Sequence, residues 1–325
     1  FYDYPAALPT VEHASIKHDL YRRDFTINAM AVSMAAHDFG RLLDFFGGLQ
    51  DIRNRIIRVL HNLSFIEDPT RIFRAIRYEN RYGFKMNSHT LGLARGCVEM
   101  NLVGDLSSAR LRDELIWLFS EPEVEHTILR IGELGLGPSI HPALAIDRES
   151  VETVKRADSA AREFRLLADI KPWRLRLACL ARKMNAEQLG LWTERLKLRS
   201  VDADVLANGV VLARKVIDKL GQTGLKRSEI YELLVKLPAE AHLLAYAQTE
   251  DENVREALGL YLTELRCVDI SIRGSDLIGL GLTESPAIGE VLSRLRLMKL
   301  EGKVDGRDDE MRVARQLIVA ANRSA

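Results

Sequence analysis

The sequence has few cysteines and no long apolar run. Its three cysteines, Cys97, Cys179 and Cys267, lie far apart and form no CxxC or Cys/His spacing, which excludes a disulfide scaffold and a structural zinc site. No apolar stretch approaches the ~20 residues that a membrane-spanning helix needs. We therefore expect reduced core thiols in a cytoplasmic protein that has no membrane partner.

The chain also has no excess charge of either sign. Lys and Arg together number 46, and so do Asp and Glu, so no global field attracts the protein to nucleic acid. Any basic surface must then be local, and residues 162–183, with seven basic side chains against two acidic ones, predict such a surface. Trp173 in this stretch could stack on an RNA base, but its helical spacing with Leu177 and Leu180 favours core packing.

A dense motif occupies residues 65–84, FIEDPTRIFRAIRYENRYGF. Asp68 is a suitable N-cap, and Pro69 suits the first helical position because its missing N–H needs no partner there. Gly83 suits the C-terminal stop, where a left-handed backbone is common. The motif therefore predicts a helix with a defined start and a defined end.

Arginines recur at three- and four-residue steps along one face of this helix, at Arg71, Arg74, Arg77 and Arg81. A carboxylate at Asp68 beside the Arg71 guanidinium can read a base edge, since it accepts from an exocyclic amine while arginine donates in a fixed fork. The other arginines suit the phosphates of a nucleotide or an RNA end. The alternative is a capping carboxylate and a solvated arginine face, with local ion pairs to Glu67 and Glu79.

Helical periodicity dominates the chain after residue 65. Residues 1–60 mix helix and strand signals, as expected for part of a small α+β unit. Apolar residues then recur at three- and four-residue spacing almost to the end, and a Gly- and Pro-rich turn separates two short helices after Ile270. We expect a mainly α fold with a partial α+β unit at the N-terminus.

Four segments, in this order and spacing, resemble motifs B, C, D and E of class II tRNA nucleotidyltransferases and bacterial poly(A) polymerases. They are RRDFTINAMA, DFFGGLQD, EDPTRIFRAIR and LSSARLRDEL. The C-terminal segments GSDLIGLG, SPAIGEVL and MKLEGKV resemble the tail of the CCA-adding branch. The resemblance implies the C-terminal part of a nucleotidyltransferase head at 1–62, a helical neck with the base-reading helix at 63–140, a helical body at 141–266 and a tRNA-binding helical tail at 267–325.

The resemblance also implies roles for residues of motifs B and D. Asp68 and Arg71 would form a protein template for the Watson–Crick edge of the incoming ATP or CTP, and Arg74 and Arg77 would lie near the phosphates and the RNA end. The motif B positions expected to contact ribose and phosphate are Arg22, Arg23, Asp24 and Asn28. The alternative for motif B is a capped amphipathic helix in which Asp24 pairs with a neighbouring arginine.

Four further residues are expected to support the site. Gly47 and Gly48 match motif C, a hinge between head and neck, and the freedom of glycine at positive φ suits a hinge. A tight turn is the alternative for this pair. Arg110 of motif E is expected to brace the helix that carries Asp68 and Arg71, with a surface salt bridge as the alternative, and Glu67 is expected to support the same helix.

The metal-binding carboxylates of the family have no match in the sequence. The family places a Gly-Gly-x-x-Arg turn and an Asp-x-Asp pair before motif B, and these carboxylates hold two Mg²⁺ ions. The Asp-x-Asp at Asp202 and Asp204 follows no glycine turn and is expected to cap a helix. We therefore expect the metal carboxylates in an absent N-terminal part, and little or no nucleotide addition by these 325 residues alone.

The resemblance implies a template-independent transferase that adds AMP to the 3′ end of tRNA, with full CCA addition as runner-up. ATP and, as an alternative, CTP would be substrates, and tRNA would be the macromolecular partner. A poly(A) polymerase is another alternative within the family. A rival of a different class is a non-catalytic RNA-binding protein that kept the neck, body and tail.

Overall fold

The computed structural model describes residues 15–222 and 224–324. Within these ranges the chain forms two compact units. The first contains the chain up to Glu152 together with Leu180–Arg199, and the second contains Thr153–Cys179 together with the chain from Ser200. The limits of head, neck, body and tail stay a prediction, and residues 1–14 of the predicted head lie outside the described residues.

The described part of the first unit begins with short helices and strands. The helix α1 (Ile16–Tyr21) is followed by a 3₁₀ turn at Thr26–Asn28. The strands β1 (Met30–Val32) and β2 (Leu42–Asp44) then pair antiparallel, and the helix α2 (Gly48–Asn54) follows. The amphipathic-helix alternative for motif B is therefore wrong, because α1 ends before the motif and a 3₁₀ turn and a strand occupy it.

The predicted base-reading helix lies in sequence between two paired strands. The strand β3 (Ile56–Ile57) pairs parallel with β4 (Lys85–Met86), and between them in sequence lie α3 (Ser64–Glu67) and α4 (Thr70–Tyr82). The apolar face of α4 is buried and packs against α6 (Ser108–Phe119), as amphipathic helices do. The other helices up to residue 199 are α5 (Ser88–Glu99), α7 (Glu125–Glu133), α8 (Gly137–Ile140), α9 (Arg148–Glu163), α10 (Pro172–Leu180) and α11 (Ala186–Arg195).

From residue 200 the described residues form helices and loops. The longest helix, α12 (Ser200–Leu220), packs against α14 (Ala239–Gln248). The remaining helices are α13 (Arg227–Leu234), α15 (Glu252–Thr263), α16 (Gly274–Gly279), α17 (Pro286–Leu300) and α18 (Gly306–Ser324). The last three share an apolar core in which Leu277, Leu295 and Ala314 are fully buried. The predicted mainly α fold is confirmed.

The predicted basic surface at residues 162–183 is wrong for three of its seven basic side chains, while the other four, Arg162, Arg165, Lys171 and Lys183, are exposed. Arg174, Arg176 and Arg182 are only 8%, 5% and 6% exposed, and each pairs with carboxylates. A buried guanidinium loses its hydration and needs such partners. Trp173 in the same stretch is also buried, which confirms the core-packing interpretation.

The cysteines are only in part core thiols. Cys97 and Cys179 are buried as expected, whereas Cys267 is exposed. The expectation is wrong for Cys267 because the 3₁₀ turn at Leu265–Cys267 buries Leu265 and leaves the cysteine outside the core. Across the described residues, the structure contains no helix that is both long and apolar enough to cross a membrane.

Candidate nucleotide-binding site

Asp68 lies at the junction between α3 and α4. Its backbone is extended, with φ −147°, and its Oδ1 accepts hydrogen bonds from the Thr70 N–H at 3.0 Å and the Thr70 hydroxyl at 2.6 Å. At the other end of α4, Gly83 adopts φ +65° and donates its N–H to the Glu79 carbonyl oxygen at 3.0 Å. The predicted stop at Gly83 is confirmed. The predicted start is wrong by one residue, because α4 begins at Thr70 with Pro69 at the N-cap position, although the Asp68 carboxylate still accepts from the first helical N–H.

Asp68 and Arg71 are held by different partners. Arg110 Nη2 lies 2.6 Å from Asp68 Oδ1, which joins α6 to the start of α4. Arg71 donates from Nη1 to Ser64 Oγ at 2.7 Å and to the Ser64 carbonyl oxygen at 3.3 Å, and from Nη2 to the Arg22 carbonyl oxygen at 3.0 Å. These neutral oxygens orient the Arg71 guanidinium without neutralising its charge.

Asp24 connects motif B to α4. It is only 8% exposed, and its Oδ2 accepts from Arg74 Nε at 2.8 Å and Nη2 at 2.6 Å, while Oδ1 accepts from Asn28 Nδ2 at 3.0 Å. The Tyr78 hydroxyl lies 3.2 Å from both Asn28 Nδ2 and Arg74 Nη2. Burial alone would lower the pKa of Arg74, but the Asp24 carboxylate raises it above its usual value. This network fixes three predicted contact residues against one another.

The neighbouring arginines of motif B do not pair with Asp24. Arg22 and Arg23 both pair with Asp19 on the preceding helix. The alternative in which Asp24 pairs with an adjacent arginine is therefore wrong. A sequence reading of adjacent charges could not detect that Asp24 has a partner fifty positions away, in Arg74.

The local ion pairs of the solvated-face alternative are also wrong. Glu79 accepts from Arg130 at 2.8 and 3.0 Å, and its other contacts include the Met86 N–H at 2.9 Å. The Glu67 carboxylate lies 3.4 Å from His61 Nε2. Neither carboxylate therefore pairs with the arginines of α4. The predicted support of α4 by Glu67 stays a prediction.

The helix α6 forms a third side of the site, beside motif B and α4. Of its residues, only Arg110 was predicted to belong to the site. Glu114 is 5% exposed, and its Oε2 is buried without a hydrogen-bond partner. Burial raises the pKa of Glu114 to about 7, against the opposing effect of Arg77 and Arg74. Trp117 is 49% exposed, and the Arg77 guanidinium carbon lies over its ring, 5.0 Å from the centroid. Positions 110, 114 and 117 share one helix face, and this spacing, which begins in motif E and continues past it, was the available signal.

Motif B, the segment from Asp68 to Tyr78 and the helix α6 line one open cavity of about 710 Å³. Of the predicted nucleotide contacts, Arg22 and Arg77 do not line it. Guanidinium groups and carboxylates converge on the cavity, a combination that suits phosphates and the amine edges of bases. The residues that line it are Arg23, Asp24, Asn28, Asp68, Thr70, Arg71, Arg74, Tyr78, Arg110, Asp113, Glu114 and Trp117.

The glycine pair of motif C forms a hydrogen-bonded turn. Asp44 Oδ1 accepts from the Gly48 N–H at 2.8 Å, and Gly47 adopts φ +76°, which favours glycine. A Cβ on Gly48 would lie 2.2 Å from the Thr26 carbonyl oxygen, so only glycine permits this close approach. The hinge function stays a prediction.

The described residues do not fit the Mg²⁺ ions that the resemblance implies. Within residues 15–222 and 224–324, no three His, Cys, Asp or Glu side chains come together to hold a metal. Asp202 lies in the first turn of α12 and pairs with Lys171 at 2.7 Å and Arg174 at 3.3 Å. We therefore derive no chemical step through a metal ion from these residues.

A family model, sequence relatives and solved structures all match this chain. Residues 2–58 match the model of the poly A polymerase head domain. An A-adding tRNA nucleotidyltransferase of Geobacter sulfurreducens is 38% identical over 99% of this chain and 37% of its own length. The chain thus spans little more than a third of that relative.

Solved structures extend the likeness over most of the fold. A CCA-adding enzyme in complex with CTP is 30% identical with a TM-score of 0.78, over 94% of this chain and 72% of that one. The Thermotoga maritima CCA-adding enzyme complexed with tRNA is 29% identical with a TM-score of 0.75, over 94% of this chain and 74% of that one. The chain therefore belongs to the family of tRNA nucleotidyltransferases and poly(A) polymerases that includes the A-adding and CCA-adding enzymes.

Proposed function

We propose that the cavity binds a nucleoside triphosphate beside the 3′ end of tRNA, as part of an enzyme that adds AMP to that end. One observation carries the proposal: Asp68, Arg71, Arg74, Asp24 and Asn28 line the same cavity. They are the motif B and motif D residues to which the resemblance assigns the base, ribose and phosphate contacts. Their grouping supports a nucleotide site better than it supports a purely structural role.

Base selection follows from the free edge of Asp68. Its hydrogen bonds to Thr70 and its ion pair with Arg110 all use Oδ1, so Oδ2 remains to accept from a ligand. Adenine and cytosine each present an exocyclic amine beside an acceptor nitrogen. In the proposed complex the amine donates to Asp68, and the acceptor receives a hydrogen bond from Arg71. Guanine and uracil present a carbonyl where the amine stands, so they are rejected.

The nature of the relatives favours A addition. An A-adding enzyme is 38% identical over 99% of this chain. Full CCA addition is the second candidate, because a structure of a CCA-adding enzyme with CTP matches 94% of this chain. The same amine-reading pair can serve ATP and CTP, so the choice between them rests on how the base is seated.

The decisive experiment measures incorporation of labelled ATP and CTP, with Mg²⁺, into tRNAs that end before CCA, after C and after CC. These 325 residues and any longer product of the same gene are assayed in parallel. Addition of AMP to the CC end alone establishes the A-adding reaction. CMP added to the shorter ends establishes CCA addition, and RNA binding with no addition by any product establishes the non-catalytic rival.

A binding experiment tests the cavity independently of chemistry. Arg71→Ala is expected to weaken ATP binding at least about tenfold, since a charge-assisted pair to the base contributes roughly 1.5 to 3 kcal/mol. Arg95→Ala, an exposed arginine on α5 that does not line the cavity, is the matched control and should leave the ATP dissociation constant unchanged. Equal effects of the two substitutions would contradict the proposed site.

A further inference from the structure

Trp117 differs from the other tryptophans of the chain. Trp173 and Trp192 are 6% and 1% exposed, whereas Trp117 is 49% exposed and lines the cavity. About half of this aromatic side chain is left open to solvent among arginines and carboxylates. It is available to a flat, apolar ligand surface such as a nucleobase.

The ring is held in place by a cation. The Arg77 guanidinium carbon lies 5.0 Å from the Trp117 centroid and 6.0 Å from the Tyr78 centroid. Arg77 Nε is buried without a hydrogen-bond partner, and both rings lie within cation–π distance of this guanidinium. Cation–π contact orders the indole and strengthens stacking on the ring surface that Arg77 leaves open.

Trp117 lies too far from the base-reading pair to serve the same base. Arg110 contacts Asp68 and Thr70 at one end of the α4–α6 pair. Arg77 lies seven residues after Thr70 on α4, and Trp117 lies seven residues after Arg110 on α6. These two side chains contact each other. Seven residues of helix rise by about 10 Å, and successive nucleotides of a strand are separated by about 3.4 Å. A base seated at Asp68 and a base stacked on Trp117 must therefore belong to different nucleotides.

We propose that Trp117 is the stacking platform for a nucleobase at the 3′ end of the bound RNA, while the incoming nucleotide occupies the Asp68 and Arg71 end of the cavity. This inference rests on the proposed function. Arg74 and Arg23 line the cavity with Trp117 and suit the RNA backbone. The site distinguishes bases little at this position, because every base offers a π face.

The test uses the exposure of Trp117 as its reporter. Tryptophan fluorescence is followed while the 325-residue chain is titrated with a single-stranded RNA ending in CC and, separately, with ATP. RNA is expected to quench the wild-type signal, and the quench should vanish in Trp117→Phe. Trp117→Phe should keep RNA affinity within about threefold, whereas Trp117→Leu should lose about tenfold. ATP affinity should be unchanged in both variants.

A second ligand separates stacking from general stability. RNA whose terminal bases are replaced one at a time by abasic sugars should bind more weakly to the wild type at one position, and that loss should disappear in Trp117→Leu. If RNA binds wild type and Trp117→Leu equally, the inference is wrong and the proposed function stands. If Trp117→Leu weakens ATP and leaves RNA unchanged, the ring serves the incoming nucleotide and the inference is wrong. If the wild type binds neither RNA nor ATP, both fail.

Discussion

Two arginines, one from each unit, differ sharply in their partners. In the second unit Arg174 is 8% exposed and lies 2.6 Å from Glu240 and 3.3 Å from Asp202. In the first unit Arg71 is fixed by carbonyl and hydroxyl oxygens. One guanidinium is neutralised inside a core, and the other keeps its charge beside a cavity.

The comparison between Arg174 and Arg71 shows that the partners of a guanidinium decide how much of its charge stays available. A buried guanidinium that meets two carboxylates is compensated and has little charge left to attract RNA. A guanidinium held by neutral oxygens is oriented in advance and still attracts an anion. The density of arginine in the sequence does not distinguish these cases, so residues 162–183 predicted a basic surface from seven side chains, three of which are buried in ion pairs.

The largest effect is expected from Arg174→Met. This substitution leaves two buried carboxylates, Glu240 and Asp202, with less compensation, and breaking such a pair costs about 3–5 kcal/mol. The free energy of unfolding, measured by urea titration, should fall by that amount. Lys171→Met is the matched control, because Lys171 also contacts Asp202 but its side chain is 52% exposed, so its loss should cost at most about 1 kcal/mol. Equal losses of unfolding free energy in the two variants would show that the burial of Arg174 does not increase its contribution to stability.

The second effect concerns Glu114, the one carboxylate lining the cavity, among the described residues, whose Oε2 is buried without a hydrogen-bond partner. Its pKa is raised from 4.5 to about 7 in the folded chain. Between these values the folded state holds a proton that the unfolded state has lost, so stability falls as the pH rises from about 4.5 to 7. The groups facing it are Arg77, Arg74, Asp68 and Arg110.

Glu114→Gln imitates the protonated acid and should remove this fall. The difference in unfolding free energy between the variant and the wild type is expected to grow by up to about 3 kcal/mol from pH 5 to pH 7.5. Urea titrations at a series of pH values measure it, and taking the difference cancels the other titrating groups. A constant difference across this range would show that Glu114 ionises normally and that the cavity wall is better solvated than its burial suggests.

Local signals in the sequence predicted the position of α4 to within one residue at its start and correctly at its stop. Asp68 and Gly83 mark the ends of α4 because caps and left-handed stops depend on a few neighbouring residues. The ordered motifs also identified the family, and the apolar spacing identified the mainly helical fold. These are properties that a short stretch of chain determines by itself.

Contacts between distant segments were the part that sequence reasoning missed. Asp24 reaches Arg74 across fifty positions, and Tyr78 joins that network through its hydroxyl. Glu114 and Trp117 become part of the site only because α6 packs along α4. No local propensity encodes such packing, although the shared face of positions 110, 114 and 117 allowed it to be suspected.

The smallest effect tests whether the cavity is organised before a ligand arrives. Tyr78→Phe removes a hydroxyl that lies 3.2 Å from both Asn28 and Arg74 and keeps the ring, so the unfolding free energy should fall by only about 1 kcal/mol. ATP affinity should fall about two- to fivefold, because Arg74 and Asn28 lose a partner that orients them toward the ligand. Tyr21→Phe, an exposed tyrosine outside the cavity, is the control and should change neither quantity. If Tyr78→Phe lowers stability but leaves ATP affinity intact, the network around Asp24 is structural in the same sense as Arg174, and the contrast between the two kinds of arginine would be confined to Arg71.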